Sequence, residues 1–85
     1  MKEFKFIITD PDGIHARPAG EFVKAAKEFE SCIALSKDGK TADAKKIFGV
    51  MGLAAKQGDE VTVTIEGPDE EKAAEVIKQF MNENL

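Results

Sequence analysis

Glu60-Val61-Thr62-Val63-Thr64-Ile65-Glu66-Gly67-Pro68-Asp69 sets three β-branched apolar residues in strict alternation with threonine and glutamate, then stops on a turn pair. A period of two over this length is a strand with one face on a core and the other in water, the pattern of an antiparallel sheet. Beyond the Gly67-Pro68 break, Asp69 is placed to cap a helix, and Glu70 and Glu71 suit that helix's positive N-terminus. Ala73, Ala74, Ile77, Phe80 and Met81 follow at helical spacing and form its buried stripe. One strand covered on one side by a helix is the unit from which the rest can be built.

Upstream, Phe4, Phe6 and Ile8 alternate with Lys5 and Ile7, which predicts a first strand over Phe4–Ile8. Asp10-Pro11-Asp12-Gly13 concentrates turn formers, and Ala19, Phe22, Val23, Ala26 and Phe29 then recur at helical spacing, predicting a helix from about Ala16 to Phe29. Cys32 to Ser36 reads as a second strand. Lys37-Asp38-Gly39-Lys40 contains the Asp-Gly pair that closes a tight hairpin into a short third strand. Asp43 can cap a short helix carrying Ile47, Val50, Met51 and Ala54, which Gly49, Gly52 and Gly58 keep brief.

The order is therefore βαββαβα. Four strands with one apolar face and three helices to cover it predict an α+β, two-layer open-faced sandwich, all helices on the same side of the sheet. Right-handed crossovers give a mostly antiparallel sheet of order 1-4-2-3. A chain of 85 residues buries only about two-thirds of its unfolded surface and does not divide that core, so residues 1–85 are expected to form a single domain.

Composition narrows the function. Hydrophobic residues at 42% and charged residues at 33% belong to an ordinary globular protein rather than a disordered one. The longest nearly continuous apolar stretch, Ile47–Ala55, holds nine residues with two glycines, where a membrane helix needs about 20. No direct membrane insertion is expected, and a start that enters a strand pattern without a secretory leader makes the cytoplasm the expected location. One Cys and one His exclude an internal disulfide and a zinc cluster, so no metal or other cofactor is expected. A net charge of −4 disfavours nucleic acid and favours a protein partner. Cys32, at the start of a strand, is expected to be a small buried side chain.

The chemistry concentrates at Gly13-Ile14-His15-Ala16-Arg17-Pro18-Ala19, which sets the only histidine at the mouth of the first helix. Backbone N–H groups there lack intrahelical acceptors and attract anions. Pro18 suits the first turn because its missing N–H is not needed. An imidazole near its reference pKa of about 6.5 is largely neutral at neutral pH and has a free nitrogen lone pair for phosphorus. Arg17 offers a planar guanidinium, and the backbone of Ala16 and Arg17 offers donors, to the same phosphate.

His15-Ala16-Arg17-Pro18-Ala19, the element order, and Lys45-Lys46-Ile47-Phe48-Gly49-Val50-Met51-Gly52-Leu53 together closely resemble the HPr family, the histidine-containing phosphocarriers of the phosphoenolpyruvate-dependent sugar phosphotransferase system. The resemblance runs over essentially the whole chain. It implies that enzyme I donates a phosphoryl group to Nδ1 of His15, that Arg17 assists, and that sugar-specific IIA proteins receive the group. Such a protein is a relay with a covalent phosphohistidine rather than an enzyme. Many Gram-positive members carry a regulatory serine where this chain has Lys46, so phosphoserine control at that position is expected to be absent. An HPr-fold adaptor that binds partners without relaying phosphate is the alternative, and the presence of both His15 and Arg17 argues against it.

Two surfaces are candidates for partners. Lys24 and Lys27, one turn apart on the first helix, are expected to form a basic strip beside the His15 end. Ile47, Phe48 and Met51 cannot all enter the core from one short helix, so an apolar patch next to His15 is expected, with Phe48 foremost. Rival readings are weaker. Gly49-Val50-Met51-Gly52 matches the G-x-x-G of KH-type RNA-binding loops, but in an acidic chain with no aromatic platform. Ser31 and Ser36 lack the Asp-Ser-Leu context of an acyl-carrier protein. A monomer is expected.

Overall fold

The computed structural model describes residues 1–14 and 16–85, the side chains of Ala16 and Arg17 excepted. The elements run β1 (Lys2–Ile7), α1 (Ala16–Lys27), β2 (Cys32–Lys37), β3 (Lys40–Asp43), α2 (Ile47–Gly52), β4 (Glu60–Glu66) and α3 (Glu70–Asn84). The sheet has the expected order, β1-β4-β2-β3, and every pairing is antiparallel.

Register explains why one face is apolar. Phe4 lies opposite Val63, Val63 opposite Leu35, and Leu35 opposite Ala42, so one row of the core crosses all four strands. The neighbouring row, Lys5, Thr62, Ser36 and Thr41, falls on the other face because side chains alternate. There the Ser36 and Thr41 hydroxyls meet at 3.1 Å. Phe22 of α1 and Ala73, Ile77 and Met81 of α3 close over the apolar face, with Val50 of α2. The Phe22 and Phe80 rings tie α1 to α3 at a centroid distance of 5.9 Å and a tilt of 56°, within the range of favourable aromatic pairs.

Several boundaries differ from the sequence expectation, each for a local reason. β1 pairs from Lys2 to Ile7, and Ile8, although buried, turns its backbone to the Gly58–Asp59 loop. α1 stops at Lys27 because Glu28 and Phe29 donate to carbonyls three residues back, a tightened last turn. Cys32 is exposed; with Ile33 and Leu35 on the core side, the pleat sends Cys32 to the opposite face.

Asp43 does not cap α2. It ends β3, its carboxylate accepts from the Lys45 N–H at 2.8 Å, and its carbonyl accepts from the Lys46 N–H at 3.0 Å. Lys46 is the N-cap residue and makes no side-chain capping bond. Ala54 lies beyond α2, in a left-handed conformation with φ +53°. Asp69 stands at the N-cap of α3, but its carboxylate accepts from the Glu30 N–H (2.9 Å), the Ser31 N–H (3.0 Å) and the Ser31 hydroxyl instead. Glu70 accepts from the Gly67 N–H at 3.3 Å, ahead of the helix.

Candidate functional site

The loop between β1 and α1 is held from three directions. Asp10 begins an Asx turn: its carboxylate accepts from the Asp12 N–H at 2.8 Å, and its carbonyl accepts from the Gly13 N–H at 2.9 Å. On one flank the Leu85 carbonyl oxygen accepts from the Asp10 N–H (2.8 Å) and the Thr9 hydroxyl (3.0 Å). On the other, Ile14 donates to the Ala55 carbonyl at 3.0 Å. Gly13 adopts φ +66°, and a Cβ there would stand 2.3 Å from the Ala55 oxygen, so only glycine allows this approach.

His15 lies outside the described residues. Its neighbours on both sides are placed: Ile14 is buried, and Ala16 and Arg17 open α1, followed by buried Pro18 and Ala19. The N–H groups of Ala16 and Arg17 fall within the first turn, where no i−4 carbonyl is available. No acidic residue occupies that turn, so no carboxylate in it opposes the positive end of the helix dipole.

α2 packs beside the first half of α1. The Ile47 Cδ1 atom lies 3.7 Å from the position a Cβ on Gly20 would take. Val50 is fully buried, whereas Phe48 is 86% exposed and Met51 37% exposed. Ile47 is half-buried between them. An apolar patch facing solvent thus exists on α2, led by Phe48.

Lys24 and Lys27 are exposed but occupy the last turn of α1. At 1.5 Å per residue they lie about 12 and 16 Å along the axis from Ala16. Their spacing of three sets them one helical turn apart, and the expected strip beside His15 falls on a residue outside the described ones.

Sequence reasoning did not find Lys37. Its ammonium donates to the carbonyls of Leu53 (3.3 Å) and Ala54 (3.2 Å) and pairs with Asp59 at 3.2 Å. The Asp59 carboxyl is held below its ordinary range, chiefly by the Lys56 N–H and then by Lys37. A lysine beside an Asp-Gly turn carries no pattern that could have announced a contact 16 or 17 residues away.

Among the described residues no cluster of three or more His, Cys, Asp or Glu could hold a metal ion. No helix there is long and apolar enough to cross a membrane.

The family model for the PTS HPr component phosphorylation site matches residues 2–83. This chain belongs to the HPr family. It is 46% identical over 83 residues to the phosphocarrier protein HPr of Lysinibacillus sphaericus, an alignment covering 98% of this chain and 94% of that one. The histidine-containing phosphocarrier protein of Mycoplasma superposes with a TM-score of 0.94 at 40% identity, covering 96% of this chain and 93% of its own. The HPr-like protein Crh of Bacillus subtilis is 44% identical over 86% of each chain. The open-faced sandwich is thus the HPr fold, and the family role is that of a phosphocarrier in the phosphotransferase system rather than of a catalyst in itself.

Proposed function

We propose that this chain accepts a phosphoryl group from phosphorylated enzyme I on Nδ1 of His15 and passes it to sugar-specific IIA proteins or domains. The supporting observation is the anchored loop that ends at Ile14, just ahead of the His15-Ala16-Arg17 motif of the sequence, in a chain of the HPr family. In the transfer, the bond from phosphorus to its donor breaks as the bond to the imidazole nitrogen forms. In the onward step the roles reverse, and the group leaves for the acceptor.

The Arg17 guanidinium and the N–H groups of Ala16 and Arg17 stabilise the bound phosphoryl oxygens. A helix terminus contributes about 0.3–1 kcal/mol and a charge-assisted hydrogen bond about 1.5–3 kcal/mol. Such values hold phosphate without supplying the ~8 kcal/mol or more of a full enzyme, so the partners provide most of the barrier lowering. No cofactor takes part.

Phe48, Met51 and Ile47 form the apolar centre of the docking surface, and Lys24 and Lys27 extend it with charge that steers an acidic partner. Lys46 bears no hydroxyl, so control through phosphoserine at that position is absent. The chain works as a single-domain monomer in the cytoplasm, without nucleic acid. Similarity to Crh favours the adaptor as the second reading, in which the same surface binds partners and no phosphate is carried.

Intact-mass spectrometry after incubation with phosphoenolpyruvate and enzyme I separates the two. The relay requires one acid-labile phosphate on the native chain and none on His15→Ala. A folded native chain that stays unmodified beside a phosphorylated control carrier refutes the relay and leaves the adaptor.

A further inference from the structure

From the geometry around its ammonium, we infer that Lys37 is a positioning residue for the phosphoryl-accepting loop, an inference that rests on the relay reading above. Lys37 ends β2, and its side chain is only 15% exposed. An ammonium has three hydrogens, and three acceptors surround this one: the Leu53 carbonyl at 3.3 Å, the Ala54 carbonyl at 3.2 Å and the Asp59 carboxylate at 3.2 Å. Asp38 adds negative charge at 3.9 Å.

These acceptors belong to one stretch of chain, the connection from α2 to β4. Leu53 is the C-cap of α2, where a cation meets the negative end of the helix. Ala54 holds φ +53°, a conformation an alanine seldom adopts unaided, and its carbonyl is fixed by the Lys37 ammonium. Asp59 closes the same connection by accepting from the Lys56 N–H at 2.8 Å. Lys37 therefore ties both ends of residues 53–59 to the end of β2.

Ala55 sits between those ties, and its carbonyl receives the Ile14 N–H at 3.0 Å and abuts Gly13. Ile14 is the residue immediately before His15. The path from Lys37 to the phosphoryl acceptor thus runs through one tethered connection, one backbone hydrogen bond and one peptide unit. A group that transfers phosphate mainly by position is sensitive to such support, since a misplacement of about 1 Å can cost 10²-fold.

The experiment compares the full chain with Lys37→Met and Lys37→Arg in two measurements. Lys37→Gln, whose amide keeps a donor, replaces Lys37→Met if the latter does not fold. Backbone amide exchange at Ile14 is expected to be about tenfold faster in Lys37→Met and close to native in Lys37→Arg. With the chain as varied substrate of phosphorylated enzyme I, Lys37→Met is expected to lower kcat about three- to tenfold at unchanged KM, because the α2 face still stands on Val50. Lys37→Arg, which keeps charge and donors, is expected to recover most of that loss. Native transfer by folded Lys37→Met, or native Ile14 exchange in it, overturns the inference while leaving the relay intact. A native chain that takes no phosphate fails the relay itself and removes this inference with it.

Discussion

Gly13→Ala should be among the most damaging conservative substitutions in the chain, although it adds one methyl group at a loop. The added Cβ would meet the Ala55 carbonyl oxygen at 2.3 Å and the Lys56 Cα at 2.9 Å, both backbone atoms, where real Cβ contacts stay beyond 3.0 Å. Moving the Ala55 oxygen away breaks its 3.0 Å bond to the Ile14 N–H, a loss of about 0.5–1.5 kcal/mol. Crowding in a packed place adds about 1–3 kcal/mol, and the left-handed conformation at φ +66° costs a side chain about 1–2 kcal/mol. The expected destabilisation is about 3 kcal/mol or more, which for a domain of this size lowers Tm by at least about 12 °C. Gly39→Ala is the control, because Gly39 has φ +83° with nothing within 4 Å, so only the conformational cost remains. The chain has neither Trp nor Tyr, so far-ultraviolet circular dichroism during thermal and urea unfolding is the suitable probe. Equal losses in the two variants would refute the close contact between Gly13 and Ala55 and, with it, the account of how the His15 loop is anchored.

Phe48→Ala should leave stability within about 0.5 kcal/mol of native, since the ring is solvent-exposed, while raising the KM for transfer from enzyme I about tenfold, as loss of an aromatic anchor does; native KM would remove Phe48 from the docking surface. Acid unfolding should be gentler in Asp69→Asn. The Asp69 carboxyl is held below its ordinary 3.8, first by the Ser31 hydroxyl and then by the Glu30 N–H. Its folded pKa is below its unfolded one, so its stabilisation is complete above that ordinary value and is lost as pH falls through the folded pKa. Asp59 and Glu70 are shifted in the same direction, so a flattened but persistent acid limb is expected, and an unchanged limb in Asp69→Asn would count against this role. Cys32 should react at once with a thiol reagent in the native protein, one equivalent per chain; protection until unfolding would contradict its place on the outer face of β2.

Sheet order and layer arrangement were legible because alternation and helical spacing act over short windows, and β4 displays its buried and solvated faces in six successive residues. Cys32 shows a reading that stopped short: its strand was identified, but the alternation of Ile33 and Leu35 that sends Cys32 to the outer face was not applied to it. Asp43 and Asp69 show a second limit. Both carry the chemistry of a helix cap and both spend it elsewhere, Asp43 on the turn that precedes α2 and Asp69 on residues 30 and 31, nearly 40 positions away in sequence. Lys24 and Lys27 were placed one turn apart by their spacing of three, and the start of their helix at Ala16 was legible as well. Of the candidate site, His15, Ala16 and Arg17 were readable as a motif, whereas the contacts of the loop before them and of the α2–β4 connection, Gly13 against Ala55 and Lys37 on residues 53–59, are tertiary and have no sequence period.

That division has a physical basis in what a relay has to do. A carrier that meets a donor and an acceptor in turn exposes the same atoms to both, so a simple contact surface suits it, such as that of Phe48 and Met51, which are open to solvent. Precision must then come from behind the reacting group. The Asp10 turn, the Leu85 oxygen and the Ala55 carbonyl hold the loop over residues 9–14 and draw on three separated segments of the chain. Substitutions on the docking face are therefore expected to change partner affinity with the fold intact, while substitutions in the support behind the loop change stability and transfer together. Phe48→Ala and Gly13→Ala stand at the two ends of that contrast, and if both altered only KM, transfer would depend on docking alone and the anchored loop would carry no part of it.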